Sequence, residues 1–154
     1  MKTPETKTDI IAHASVVIKA SAEEIWRALT EPVAIKQYMF GATVKSSWRE
    51  GDPISWKGEW KGKSFEDKGT ILRVEPNQLL QYTHYSPLSG AEDVPSNYHT
   101  VTITLTSEDQ GVWVALTQDK NENEQALEHS EKNWMMMLEG LKKYVEQSTL
   151  SKGQ

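Results

Sequence analysis

Cysteine is absent from the 154 residues. That removes disulfides, thiolate metal ligands, iron–sulfur clusters and cysteine nucleophiles together. Basic charge is not in excess: 17 Lys and Arg stand against 22 Asp and Glu, a formal net charge of −5. A nucleic-acid binder shows a basic face and docking on anionic lipid needs a basic patch, so neither partner is expected. Long apolar runs are missing as well. The longest in the C-terminal half is Trp134 to Leu138, far short of a membrane span. The first residues, Met1 to Asp9, are polar with no apolar signal core, so the expectation is a cytoplasmic protein off the membrane. Gly-x-Ser-x-Gly, His-Glu-x-x-His, Gly-x-Gly-x-x-Gly and a phosphate-cradling loop are all absent. No cofactor and no metal are therefore expected, and no catalytic residue is assigned beyond His84 as a candidate.

What is present reads as one globular domain, 1–154, with loose ends at 1–8 and 149–154; 37% of the residues are hydrophobic. Residues 9–19 alternate, with Ile10, Ala12, Ala14, Val16 and Ile18 on one face, which predicts a half-buried strand. Ser21 and Glu24 form a capping-box pattern for a helix that stops near Pro32. A second short helix is predicted over 33–39, with Gly41 as its stop. Strands are then predicted over 44–48, 54–60, 65–75, around Leu80, Tyr82 and His84, over 98–105, and over 112–118. Residues 86–96, with Pro87, Gly90 and Pro95, read as a longer loop and 107–111 as a turn. A long helix follows over 121–147, capped by Asn121 with Glu124 and carrying Leu127, Trp134, Leu138, Leu141 and Val145 as its core stripe. Helices at the two ends of a run of strands predict an α+β fold with an antiparallel sheet.

Four segments in order resemble a known family. They are Ile18 to Pro32, Lys68-Gly69-Thr70-Ile71-Leu72-Arg73-Val74-Glu75-Pro76, Leu80-Gln81-Tyr82-Thr83, and Asn133-Trp134 followed by Leu138 to Tyr144. They are similar to single-domain homologues of the activator of the heat-shock-protein ATPase, within the START-like or SRPBCC superfamily, which has the birch-pollen-allergen-like fold. The resemblance implies a helix-grip: a curved antiparallel sheet of six or seven strands gripping a long C-terminal helix, with a cavity between them. The chain departs from its relatives at three places. It has His84 and Tyr38 where they tend to have Trp, and Met135 and Met136 where they usually carry polar residues.

The resemblance implies a binding module for a small hydrophobic or aromatic molecule. Two other functions occur in the superfamily: a cyclase- or aromatase-like enzyme acting on a polyketide-like substrate, and a partner of a chaperone ATPase in a stress response. The ligand-binding candidates are Trp56, Trp60, Tyr82, His84, Tyr98, Trp134, Met137 and Leu138. The aromatic rings either wall a cavity or fill the space themselves, and His84 is either structural or in contact with ligand. His99 shares that question; His13 and His129 read as surface residues. Successive helical residues turn by about 100°, so Trp134 to Leu138 cannot all face one sheet. Trp134, Met137 and Leu138 fit the stripe. Met135 and Met136 are then either an interface, with a homodimer as the expectation, or lie under the 86–96 loop.

Overall fold

The computed structural model describes residues 10–152, and the side chains of Trp60 and of 149–152 fall outside the described set. The expected loose end at 1–8 also lies outside the described residues, while 149–152 form the last turn of the final helix. The chain runs β1 (Ala12–Ile18), α1 (Ala22–Thr30), α2 (Pro32–Tyr38), β2 (Thr43–Ser46), β3 (Pro53–Trp60), β4 (Lys63–Glu75), β5 (Leu79–His84), β6 (His99–Glu108), β7 (Gly111–Gln118) and α3 (Glu124–Lys152). The seven strands form one curved antiparallel sheet in the order β1-β7-β6-β5-β4-β3-β2, and the fold is α+β of the helix-grip kind.

Each element follows from local chemistry. In β1 the alternation buries Ala12, Ala14 and Ile18. At the start of α1 the Ser21 hydroxyl accepts from the Glu24 N–H at 3.1 Å, and the Ser21 N–H donates to the Glu24 carboxylate at 3.2 Å. This reciprocal pair satisfies donors the first helical turn would otherwise leave bare. The Tyr38 hydroxyl donates to the Ala28 carbonyl at 2.8 Å and ties α2 to α1. A side chain at position 140 would meet Tyr38, so glycine there lets α2 and α3 approach closely.

Met137, Leu138, Leu141 and Val145 bury one stripe of α3. The helix also runs beside β1, an edge strand, and closes its open side. The His13 N–H donates to Glu131 and the Lys19 N–H to Glu146, both at 2.9 Å, while Lys142 Nζ donates to the Val17 carbonyl at 2.7 Å. The spacings match: six strand residues at ~3.3 Å and fifteen helical residues at ~1.5 Å each span roughly 20 Å. Side chains of α3 thus occupy backbone groups that would otherwise invite a foreign strand.

Several boundaries differ from the sequence reading. Trp48 is not in β2, which ends at Ser46; it sits in a loop with φ of +61°. Ser107 belongs to β6, whose pairing with β7 continues to Glu108↔Gly111. The cap of α3 is Asn123, whose Oδ1 accepts from the Ala126 N–H at 2.8 Å. Asn121 is buried instead, donating to the carbonyls of Ile10 and Gln118.

Candidate functional site

A sheet face is filled only as far as the helix crossing it reaches. Here the inner face is apolar where α2 and the middle of α3 cover it, and turns polar at one inward position on each of four neighbouring strands. These are Asp67 on β4, His84 on β5, His99 on β6 and Gln118 on β7. His84 and His99 are paired directly across β5 and β6. This row, the first turns of α3 and the 86–96 loop line a cavity of about 1170 Å³ that is partly open to solvent. Trp56, Tyr82, Trp134 and Met137 supply its apolar wall.

The polar row is organised in two groups. In the first, His84 Nε2 lies 2.9 Å from Asp67 Oδ2. A carboxylate only accepts, so that ring nitrogen carries the proton. The His84 ring stands edge-on to Trp56, with centroids 5.2 Å apart at 67°, and Trp56 leans on Tyr82 at the same separation. Asp67 Oδ1 is buried with no protein partner. Burial pushes the Tyr82 phenol well above its ordinary pKa, so it stays protonated.

In the second group, the Trp134 indole N–H donates to Gln118 Oε1. Tryptophan has only a donor to offer, so Gln118 must present its oxygen there and its amide nitrogen to His99, 3.1 Å away. His99 Nδ1 also lies 2.9 Å from the Asp119 carbonyl. A bare Nδ1 accepts from Gln118; a protonated one donates to Asp119. Asn121 continues the network by accepting from the Ser130 hydroxyl at 2.8 Å.

The structure brings together Trp56, Tyr82, His84, Trp134 and Met137 around the cavity, and His99 and His129 also border it. Leu138 does not reach the cavity; it is fully buried in the core. Tyr98 is also outside. Its ring stacks on Tyr85 with centroids 5.1 Å apart, and its hydroxyl donates to Asp93 at 2.6 Å. Asp93 in turn pairs with Lys68 at 2.6 Å, so Tyr98 clamps the loop to β4. The Trp60 side chain lies outside the described residues. Met135 is half-buried against the core, which leaves Met136 as the exposed member of the methionine pair, 49% accessible. The loop borders the cavity through Ser86, Ser89 and Ala91. Sequence reasoning missed Asp67 and Gln118. The signal was there: each is polar at an inward position of an alternating strand, two steps from apolar neighbours. Among the described residues no group of three or more His, Asp or Glu could hold a metal ion, and no helix is long and apolar enough to cross a membrane.

The model of the family "Activator of Hsp90 ATPase homolog 1-like protein" matches residues 19–146. The chain belongs to this family. Among solved structures, ChR145 from Cytophaga hutchinsonii is 57% identical, over 90% of this chain and 95% of that one, with a TM-score of 0.78. The Aha1 dimer from Colwellia psychrerythraea is 21% identical, over 88% of this chain and 96% of that one, with a TM-score of 0.69. DynU16, a protein in the dynemicin biosynthetic locus, is 17% identical and has a TM-score of 0.75, over 90% of this chain and 48% of that one. The last two likenesses are of fold. No curated protein matches this chain.

Proposed function

We propose that this Hsp90-ATPase-activator-like protein is a binding module for a small, largely apolar aromatic molecule held between the sheet and α3. The observation that carries the reading is the cavity itself: about 1170 Å³, walled by indole, phenol and thioether groups and ending in a polar row. Ligand pockets combine apolar walls with a few fixed polar groups in this way, in volumes of roughly 300–1,000 Å³, and this partly open cavity lies just above that range. The charged side chains that border it are Asp67, Asp119 and Glu122 against Lys120. That balance favours a neutral molecule over a carboxylate such as a fatty acid.

The test is a thermal-shift and tryptophan-fluorescence panel of flavonoids, aromatic ketones and fatty acids. Neutral aromatics should quench Trp56 and Trp134 and raise the melting temperature, since a ligand at 100 times its Kd stabilises by about 2.7 kcal/mol. Ala126→Trp, which adds an indole at the cavity wall from the first turn of α3, should abolish both signals in a folded protein. A panel that neither shifts nor quenches overturns the reading.

A further inference from the structure

We propose that the cavity is a proton-transfer site for a neutral ligand carrying a carbonyl group, with His84 as the base, Tyr82 as the donor to the carbonyl oxygen, and Asp67 as the residue that positions His84. The proposal rests on the cavity being the binding site.

The geometry on β5 carries it. Tyr82 and His84 are two residues apart on the inner face, so their side chains stand roughly 7 Å apart along the strand. A carbonyl carbon and its neighbouring C–H fit between a donor and a base at that separation. His84 holds its proton on Nε2, toward Asp67 Oδ2 at 2.9 Å. In a neutral ring Nδ1 is then bare and basic. That nitrogen has no protein partner among the described residues. Nor is it sealed away, because Asp67 Oδ1 is the one buried side-chain polar atom without a partner among them. His84 is one of the residues that line the cavity, and its Nδ1 is left accessible.

Two neighbours fix the imidazole. The edge-on contact with Trp56 sets its plane. Asp67 sets its tautomer, and the bond to His84 is that carboxylate's one hydrogen bond among the described residues. A carboxylate that orients a histidine and faces the imidazolium when it forms is the arrangement general bases use. The Tyr82 hydroxyl likewise has no partner among the described residues, and burial keeps it a donor.

The step balances without a co-reactant. The C–H bond next to the carbonyl breaks and its electron pair moves onto the oxygen, giving an enolate hydrogen-bonded to Tyr82. The proton goes to His84 Nδ1, and the imidazolium faces Asp67. The proton then returns to the same carbon, to the oxygen, or to the far carbon of an unsaturated ketone. The result is exchange, enolisation or a shifted double bond, with nothing oxidised or reduced.

The probe is 2-tetralone, a neutral aromatic ketone with acidic C–H groups beside the carbonyl. Its exchange for deuterium in D2O is followed by NMR, while tryptophan quenching measures binding in parallel. The wild type should accelerate exchange over buffer. His84→Gln should remove about 100-fold or more of that acceleration and Tyr82→Phe about tenfold, with quenching retained. Asp67→Asn should slow exchange and move the His84 proton from Nε2 to Nδ1, read from imidazole ¹⁵N shifts, which a merely structural role would not do. Circular dichroism checks that each variant folds, and the near-isosteric Asp67→Asn and Tyr82→Phe stand in if His84→Gln does not. Quenching without acceleration, acceleration undiminished in the variants, or a wild-type His84 protonated on Nδ1 overturns proton transfer and leaves the binding module standing. Absence of quenching by the ketone and by the whole panel overturns both.

Discussion

At the scale of single residues, Gly69 decides how the site is assembled. A Cβ there would lie 1.7 Å from the Thr83 carbonyl oxygen, a backbone atom with no room to retreat. The strands pinch at this point: the Thr70 N–H donates to Thr83 Oγ1 at 2.9 Å, Lys68 bridges Tyr85, and the register of β4 on β5 shifts between Ile71 and Arg73. Beyond the pinch, Asp67 lies against His84. Gly69→Ala should therefore cost about 3 kcal/mol or more in urea unfolding and should also weaken ligand quenching. Gly58 is the control. A Cβ there meets the tip of the Phe65 ring, which can swing aside, and otherwise only the Ala42 backbone at an ordinary contact distance of 3.5 Å. Gly58→Ala should cost clearly less, and equal losses would remove Gly69's special role.

At the scale of elements, the start of α3 separates two asparagines that look alike in sequence. Asn123 is a surface cap holding one N–H. Its replacement by alanine should cost about 1 kcal/mol, the usual worth of such a cap. Asn121 joins three elements: it donates to the carbonyls of Ile10 and Gln118 and accepts from Ser130 on the helix. The Asn121 backbone N–H still reaches the Ile10 carbonyl, but Asn121→Ala strips the side-chain bonds from the Gln118 carbonyl and the Ser130 hydroxyl, at about 1–3 kcal/mol for each buried group left bare. Urea unfolding of the two variants should rank Asn121→Ala as the more damaging. The reverse order would mean that the junction is held by the backbone alone.

At the scale of the whole molecule, the grip of α3 on the edge of the sheet carries a pH dependence. Burial raises the pKa of Glu146, but the Lys142 ammonium at 2.8 Å and the Lys19 N–H more than offset it, so the value falls below the ordinary 4.5. A carboxylate whose folded value is depressed stabilises fully above its unfolded value and loses that contribution as pH falls through the folded one. Stability should therefore drop below about pH 4.5. Glu146→Gln should be less stable than the wild type at pH 6, and the gap should narrow by pH 3, as read from urea midpoints. A gap that stays constant over that range would show that the tether acts through shape and not charge.

Much of this was legible in the residues. Alternation of period two named the strands and put Trp56 on one strand face and Tyr82 with His84 on another; the resemblance implied a cavity, and whether the rings walled it or filled it stayed open in the sequence. The capping box of α1, the stripe of α3 and the element order led to the α+β sheet and helix. What alternation cannot say is how far along a face the covering helix extends. That is a property of packing between segments far apart in the chain, and it decides which inward positions are core and which are cavity wall. Leu138 therefore went to the core and Tyr98 to the loop clamp, though both read as ligand contacts. Asp67 became the partner of His84 because antiparallel pairing of β4 and β5, pinched at Gly69, brings residues 17 apart to 2.9 Å. Glu131 and Glu146 hold the backbone N–H groups of His13 and Lys19, a pairing that no local pattern encodes, because a helix and a strand of matched length lie side by side only in the folded chain.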